Sequence, residues 1–171
     1  MQSGDPASSC KGVKSLGGIA VVALSVLVGG CFVAQPIDRP TAPPSASPDQ
    51  IPELVELVNK HRSKVGCKAL SWVGPVAQVA QRHSQDMVAN RFFEHTNLLG
   101  ESPFDRLRKA GIKYTRAAEN IAQGQRSATH VMSSWLSSAG HRRNIEDCAF
   151  QQHGIGLFQN HWTHVFVTLP R

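Results

Sequence analysis

The chain has 171 residues, a net charge of +6 and 41% apolar residues, enough for one small globular domain with additions. Charged residues at 18% and aromatics at 6% exclude a wholly disordered chain. The basic excess is scattered: Arg106-Leu107-Arg108-Lys109 and Arg142-Arg143 are brief clusters, and no Lys/Arg-rich run marks a nucleic-acid site.

In chain order, Lys11 and Lys14 precede the apolar stretch Leu16 to Val28, followed by Gly29-Gly30-Cys31. A basic start, about a dozen apolar residues and small residues at the end form a secretory signal pattern, too short to span a membrane as a helix. Its ending Val28-Gly29-Gly30-Cys31 resembles the lipobox of bacterial lipoproteins, which implies a signal peptide over 1–30 and lipidation of Cys31. Leucine is commoner where Val28 stands. Five of the ten prolines then fall in residues 32–50, and proline with serine and no apolar period reads as an extended tether. The expected organisation is a leader (1–30), a tether with lipidated Cys31 (31–48) and one domain (49–171). The resulting localisation is a lipid-anchored domain on the extracytoplasmic face of a cell membrane.

Within the domain, Asp49 is the expected N-cap of a first helix, with Pro52 in its first turn. Ile51, Leu54, Val55 and Val58 form the apolar stripe, and Gly66 stops it. A second helix is expected over Pro75 to Asn90, with Val76, Ala80, His83 and Met87 on one face. Ser102-Pro103 opens a short third helix carrying Phe104, Leu107 and Ala110, closed by Gly111. Ser127 caps a fourth, in which Val131, Trp135 and Ser138 share a face. The period then changes: Gly154 to Phe158 and Trp162 to Leu169 read as strands joined at Gln159-Asn160. Helices followed by a terminal hairpin predict an α+β fold, with helices packed on a small, mostly antiparallel sheet. Of the four cysteines, Cys10 lies in the leader and Cys31 would carry lipid. That leaves Cys67 and Cys148 as an expected disulfide in an oxidising compartment.

Eight histidines must be sorted. His83 sits on the apolar face of the second helix and reads as a core histidine satisfied by a hydrogen bond. His61 and His130 lie on helices among polar neighbours and read as exposed. His153, His161 and His164 fall in or near strands, His164 alternating with Trp162 and Phe166. Three polar residues differ: His95 in Phe92-Phe93-Glu94-His95-Thr96, Glu119 in Ala118 to Gly124, and His141 just after the expected stop at Ala139-Gly140. Each is expected at an element end or in a loop, where functional groups concentrate. Two imidazoles and a carboxylate could bind a divalent cation such as zinc with an open position; equally they could line a polar cleft by hydrogen-bonding one another. Spacing does not group them.

A resemblance does. The segments LVNKHRSKVGCKALSW, AQVAQRHSQDM, FFEHT, AENIAQG, VMSSWLSSAGHRRNI, HGIGLF and HWTHVF occur in the order found in the CAP superfamily (cysteine-rich secretory proteins, antigen 5, pathogenesis-related 1), in its bacterial SCP-domain branch. Together they cover residues 54–166. The resemblance implies an α-β-α sandwich with a central cleft lined by a tetrad of two histidines and two acids. His95, Glu119 and His141 match three members; the fourth, an acid in many eukaryotic relatives, falls on Ser138. The functions implied are capture of a lipid or sterol, with a cleft that takes zinc or another divalent cation through His95 and His141, with Glu119 as a further candidate; a lipid-anchored domain on a flexible tether could also engage a cell-wall polymer or a partner protein. A metal-assisted, protease-like hydrolase is the enzymatic alternative, with His95 or His141 as general base on water, oriented by Glu119. No nucleophile signature such as G-x-S-x-G supports it.

Overall fold

The computed structural model describes residues 46, 47 and 49–171. The leader, Cys31 and the tether up to residue 45 lie outside the described residues. The elements run α1 (Gln50–Lys64), β1 (Ser71–Trp72), α2 (Gly74–Ala89), α3 (Pro103–Lys109), β2 (Arg116–Gln123), α4 (Ala128–Ser137), α5 (Ala139–Glu146), β3 (Gln152–Phe158) and β4 (His161–Thr168). The strands form one sheet in the order β1-β3-β4-β2. Only β1 and β3 run parallel; β4 is antiparallel to both β3 and β2. This is the expected mostly antiparallel sheet between helices.

Alternation along the strands makes the two layers. Ile155 and Leu157 of β3, with Trp162 and Phe166 of β4, join Leu54 and Val58 of α1, Val131 and Trp135 of α4 and Ile145 of α5 in the larger core. Val165 and Val167 point the other way, to Val76, Val79 and Ala80 of α2 and Leu107 of α3. Each fully buried aliphatic side chain contributes roughly 1.5–3 kcal/mol. On the α2 side the middle of β3 carries Gly154 and Gly156. A Cβ on Gly154 would stand 2.1 Å from the Ala77 nitrogen, and one on Gly156 2.3 Å from the Gln81 nitrogen. The two glycines therefore let α2 lie directly on the backbone of β3. Gln81 then closes the open edge of β3 where β1 has ended: its amide donates to the Leu157 carbonyl at 3.0 Å and accepts from the Leu157 N–H at 2.9 Å.

The α1 stripe extends one turn further than the apolar pattern shows. Leu54 and Val58 are followed at the same spacing by Arg62, all three buried. The Arg62 guanidinium donates to the carbonyls of Lys68, Ile145, Asp147 and Phe150 at 2.7–3.0 Å. It ties α1 to the segment that carries Cys148. The expected Cys67–Cys148 disulfide is present across a separation of 81 residues, a loop whose closure is worth about 4–5 kcal/mol in the chain-entropy account.

Several local expectations change. Asp49 does not cap α1: its own backbone is already helical, and its carboxylate accepts from the Ser47 hydroxyl instead. The Ala139-Gly140 stop is no stop, because both residues begin α5. The segment around Glu119 is no loop but the long edge strand β2. The predicted hairpin turn does form at Gln159-Asn160, both with positive φ, as a two-residue turn between right-twisted strands requires. Among the described residues no helix is long and apolar enough to cross a membrane.

Candidate functional site

β2 is an edge strand, so side chains from both of its faces reach the same rim of the sheet. Glu119 points to the α2 side and Asn120 to the α5 side. Glu119 is buried, and a buried carboxylate must be matched by charge and hydrogen bonds. Its Oε1 accepts from His95 Nδ1–H at 2.9 Å, and its Oε2 accepts from Arg106 Nη2–H at 2.7 Å. His83 Nε2 stands 4.0 Å from the same Oε1.

His95 lies in the connection from α2 to α3, and that connection is held at both ends. Ser102 and Asp105 form a reciprocal capping box at the start of α3, which fixes the first turn. Arg106, one residue on, donates from Nη1 to the carbonyls of His95 and Glu101 at 2.8 and 3.0 Å. One guanidinium thus neutralises Glu119 and pins the backbone of His95. Since a carboxylate only accepts, His95 donates from Nδ1, and in the neutral ring the lone pair lies on Nε2, on a half-exposed side chain.

His141 comes from the other face. The Asn120 side-chain amide donates to the His141 carbonyl at 3.0 Å, and Asn144 Nδ2 donates to Asn120 Oδ1 at 2.8 Å. The Glu-Asn pair therefore does two jobs: Glu119 orients His95, and Asn120 fixes α5 so that His141 stands beside it. Burial pushes the His141 pKa below the usual imidazole value, and the neighbouring His95 lowers it further. At neutral pH His141 is an uncharged imidazole. Ser138, at the joint of α4 and α5, puts no carboxylate here.

The structure thus brings His95 and Glu119 into direct contact and seats His141 within electrostatic range. Among the described residues no three His, Cys, Asp or Glu side chains are grouped to hold a metal ion, and both oxygens of Glu119 are engaged. Glu119 stands behind His95 in the supporting position that a metal-ligating histidine favours. His83 is buried and bonds the Glu94 carbonyl through Nε2–H at 3.0 Å, as a core histidine should, yet it also faces Glu119. His61, expected to be exposed, is half-buried and bonds Glu146 at 2.9 Å. His130 is exposed.

Two features escaped the sequence reading. Arg106 was visible only as part of a basic cluster; the signal for it is the buried acid, which demands a cation. The second is a histidine pair inside the larger core. His153 Nδ1 meets His164 Nε2 at 2.9 Å, both fully buried. His164 does share a face with Trp162 and Phe166, and its ring lies 3.8 Å from that of Phe166. Burial first, then the charge of Arg62, lowers the His153 pKa to about 4. His164 is held well below the usual value by burial, then by His153 and Arg62.

The profile of the CAP family, described as the cysteine-rich secretory protein family, matches residues 55–168. The uncharacterized protein YkwD of Bacillus subtilis is 35% identical over 136 residues, covering 78% of this chain and 53% of that protein. The uncharacterized membrane protein YlbC of the same organism is 32% identical over 115 residues, covering 67% of this chain and 33% of that protein. The chain thus spans about half and a third of these relatives. Among solved structures, an extracellular SCP-domain protein from Bacillus anthracis superposes with a TM-score of 0.68 at 29% identity, over 75% of this chain and 45% of that one. An outer surface protein from Borrelia burgdorferi superposes with a TM-score of 0.67 at 20% identity, over 72% of this chain and 95% of that one, a likeness of fold.

Proposed function

From the premise that the chain belongs to the CAP (cysteine-rich secretory protein) family, we propose that it is an extracytoplasmic ligand- or partner-binding domain whose His95–His141 cleft holds a divalent cation such as zinc. The observation that carries this is the Glu119–His95 hydrogen bond, which engages Nδ1 and leaves Nε2 as the ring nitrogen open to a ligand. Glu119 serves as the orienting carboxylate rather than a ligand, because Arg106 occupies its second oxygen. A bound cation would polarise or anchor an oxygen or nitrogen group of whatever docks in the cleft.

Location follows the same reasoning. A disulfide persists outside the cytosol, and the B. anthracis relative at 29% identity is described as extracellular. Lipidation of Cys31 would tether the domain to the membrane through its proline-rich segment. Replacing Cys31 with serine then releases the protein from the membrane fraction; retention of that variant contradicts the anchor.

Calorimetric titration of the full chain with zinc near neutral pH tests the cation site. The expected result is one site, lost in the His95→Ala, His141→Ala double variant. It weakens on acidification, since protonated imidazole cannot ligate. Equal binding by the double variant overturns the reading.

A further inference from the structure

Glu119 and Asn120 lie on β2, at one edge of the sheet, and β1 is the opposite edge. β1 is two residues long, Ser71–Trp72, and both are exposed. The residues on either side of Trp72 join it to β3: the N–H of Ser71 donates to the Gln151 carbonyl and that of Val73 to the His153 carbonyl, both at 2.9 Å. Peptide groups alternate in direction along a strand. The N–H and C=O of Leu70 and of Trp72 therefore point away from β3, across the free edge.

The fold treats these two positions differently. At Leu70 a side-chain amide closes the edge: Asn59 of α1 accepts from the Leu70 N–H at 2.8 Å and donates to its carbonyl at 3.2 Å. Gln81 closes Leu157 of β3 in the same two-point way. At Trp72 no group among the described residues bonds the backbone N–H or C=O. Beside this open peptide unit stands an indole that is 46% exposed. Its plane is held at 84° to the buried His153 ring, with 5.7 Å between centroids.

An occupant of this edge must offer a donor and an acceptor at amide spacing, with an apolar face for the indole. An added peptide strand pairs through every second residue. Here the next outward unit on one side, Leu70, is taken by Asn59, and on the other side α2 begins at Gly74. The edge has room for one amide and not for a ladder. We propose that Trp72 binds an N-acetylhexosamine unit of a glycan. The acetamido N–H is donated to the Trp72 carbonyl, and the acetamido oxygen accepts from the Trp72 N–H. The C–H face of the pyranose lies against the indole, an apolar surface on an aromatic one. No proposed ligand of the cation site belongs to this edge, so the two assignments stand or fall separately.

The test is an NMR titration of the isotope-labelled full chain with three probes. They are tri-N-acetylchitotriose, cellotriose, in which hydroxyls replace the acetamido groups, and N-acetylalanine N-methylamide, a free peptide unit. The expected result is saturable shifts at the Trp72 backbone amide and indole N–H with the acetylated sugar. Cellotriose lacks the amide and the peptide unit lacks the ring face, so each binds at least about tenfold more weakly. Trp72→Ala should weaken the acetylated sugar about tenfold, whereas Trp72→Phe retains most of the binding, and zinc titrates both variants as it does the natural chain. The disaccharide of N-acetylglucosamine and N-acetylmuramic acid, run in parallel, separates a bacterial wall glycan from chitin by which sugar binds more tightly. Equal binding of cellotriose or of the peptide unit, no saturable shift at Trp72, or binding indifferent to Trp72→Ala overturns the proposal.

Discussion

Glu119 sets the local order of the site, because a buried carboxylate cannot stay without its partners. His95 and Arg106 satisfy one oxygen each. Glu119→Gln leaves the Arg106 guanidinium, nearly buried itself, without a counter-charge. Breaking a buried pair from one side costs about 3–5 kcal/mol. Urea denaturation should therefore show a loss of that order for Glu119→Gln, and a smaller loss when Arg106 is replaced together with it. A loss below about 1 kcal/mol for the single variant would mean that the pair is solvated and exchangeable. The sequence made Glu119, His95 and His141 legible only through an ordered set of motifs. Arg106 was not legible, because nothing in a basic cluster tells which arginine is turned inward; that depends on the capping box at Ser102 fixing the phase of α3.

At the scale of elements, the helices with apolar stripes were readable and their ends were not. α2 was expected within a residue of its span, and the terminal hairpin was expected at its true turn. β2 was hidden because its alternation mixes Ala117, Glu119 and Ile121 on one face with Ala118, Asn120 and Ala122 on the other, so neither face looks apolar. The start of α5 was hidden because Gly140 reads as a terminator, although it has an ordinary helical φ and open space around it. Glycine content thus has two meanings in this chain, which substitution separates. Gly154→Ala would drive a methyl into the α2 backbone and should lower the thermal midpoint sharply, at a cost of about 3 kcal/mol or more, beyond the usual overpacking of a flexible core. Gly140→Ala meets nothing within 4 Å and should stabilise by about 0.5–1 kcal/mol through helix propensity alone. If both variants behaved alike, the close seating of α2 on β3 would be wrong.

At the scale of the whole molecule, the His153–His164 pair makes the fold acid-sensitive. Both pKa values are depressed on folding, so the unfolded chain binds more protons in acid, and stability rises with pH. The contribution is fully present above the unfolded value of 6.5 and is lost as pH falls toward about 4. For His153 alone this amounts to about 3 kcal/mol across that window. Geometry agrees: the shared hydrogen bond uses one nitrogen of each ring, and the other two, His153 Nε2 and His164 Nδ1, have no partner to welcome a second proton. Chemical denaturation from pH 7 to pH 4 should show this slope in the natural protein and a flatter one in His153→Leu, whatever the stability of that variant at pH 7. Parallel slopes would place the acid sensitivity elsewhere, for instance in the depressed surface carboxyls of Glu101 and Asp105. The sequence offered His164 as one residue alternating with aromatics; its pairing with His153 required the β3–β4 register, which no local pattern reveals.

The proposed cation site rests on Glu119 fixing His95 with Nε2 outward as a ligand, with His141 as its companion. The most direct test is nitrogen NMR of the imidazoles during zinc titration of the full chain. His95 should carry a proton on Nδ1 before metal is added, and zinc should shift Nε2 of His95 together with one ring nitrogen of His141, while His83, His153 and His164 stay unmoved. A proton found on Nε2 of His95, or zinc-dependent shifts confined to the exposed His130 and its like, would contradict it.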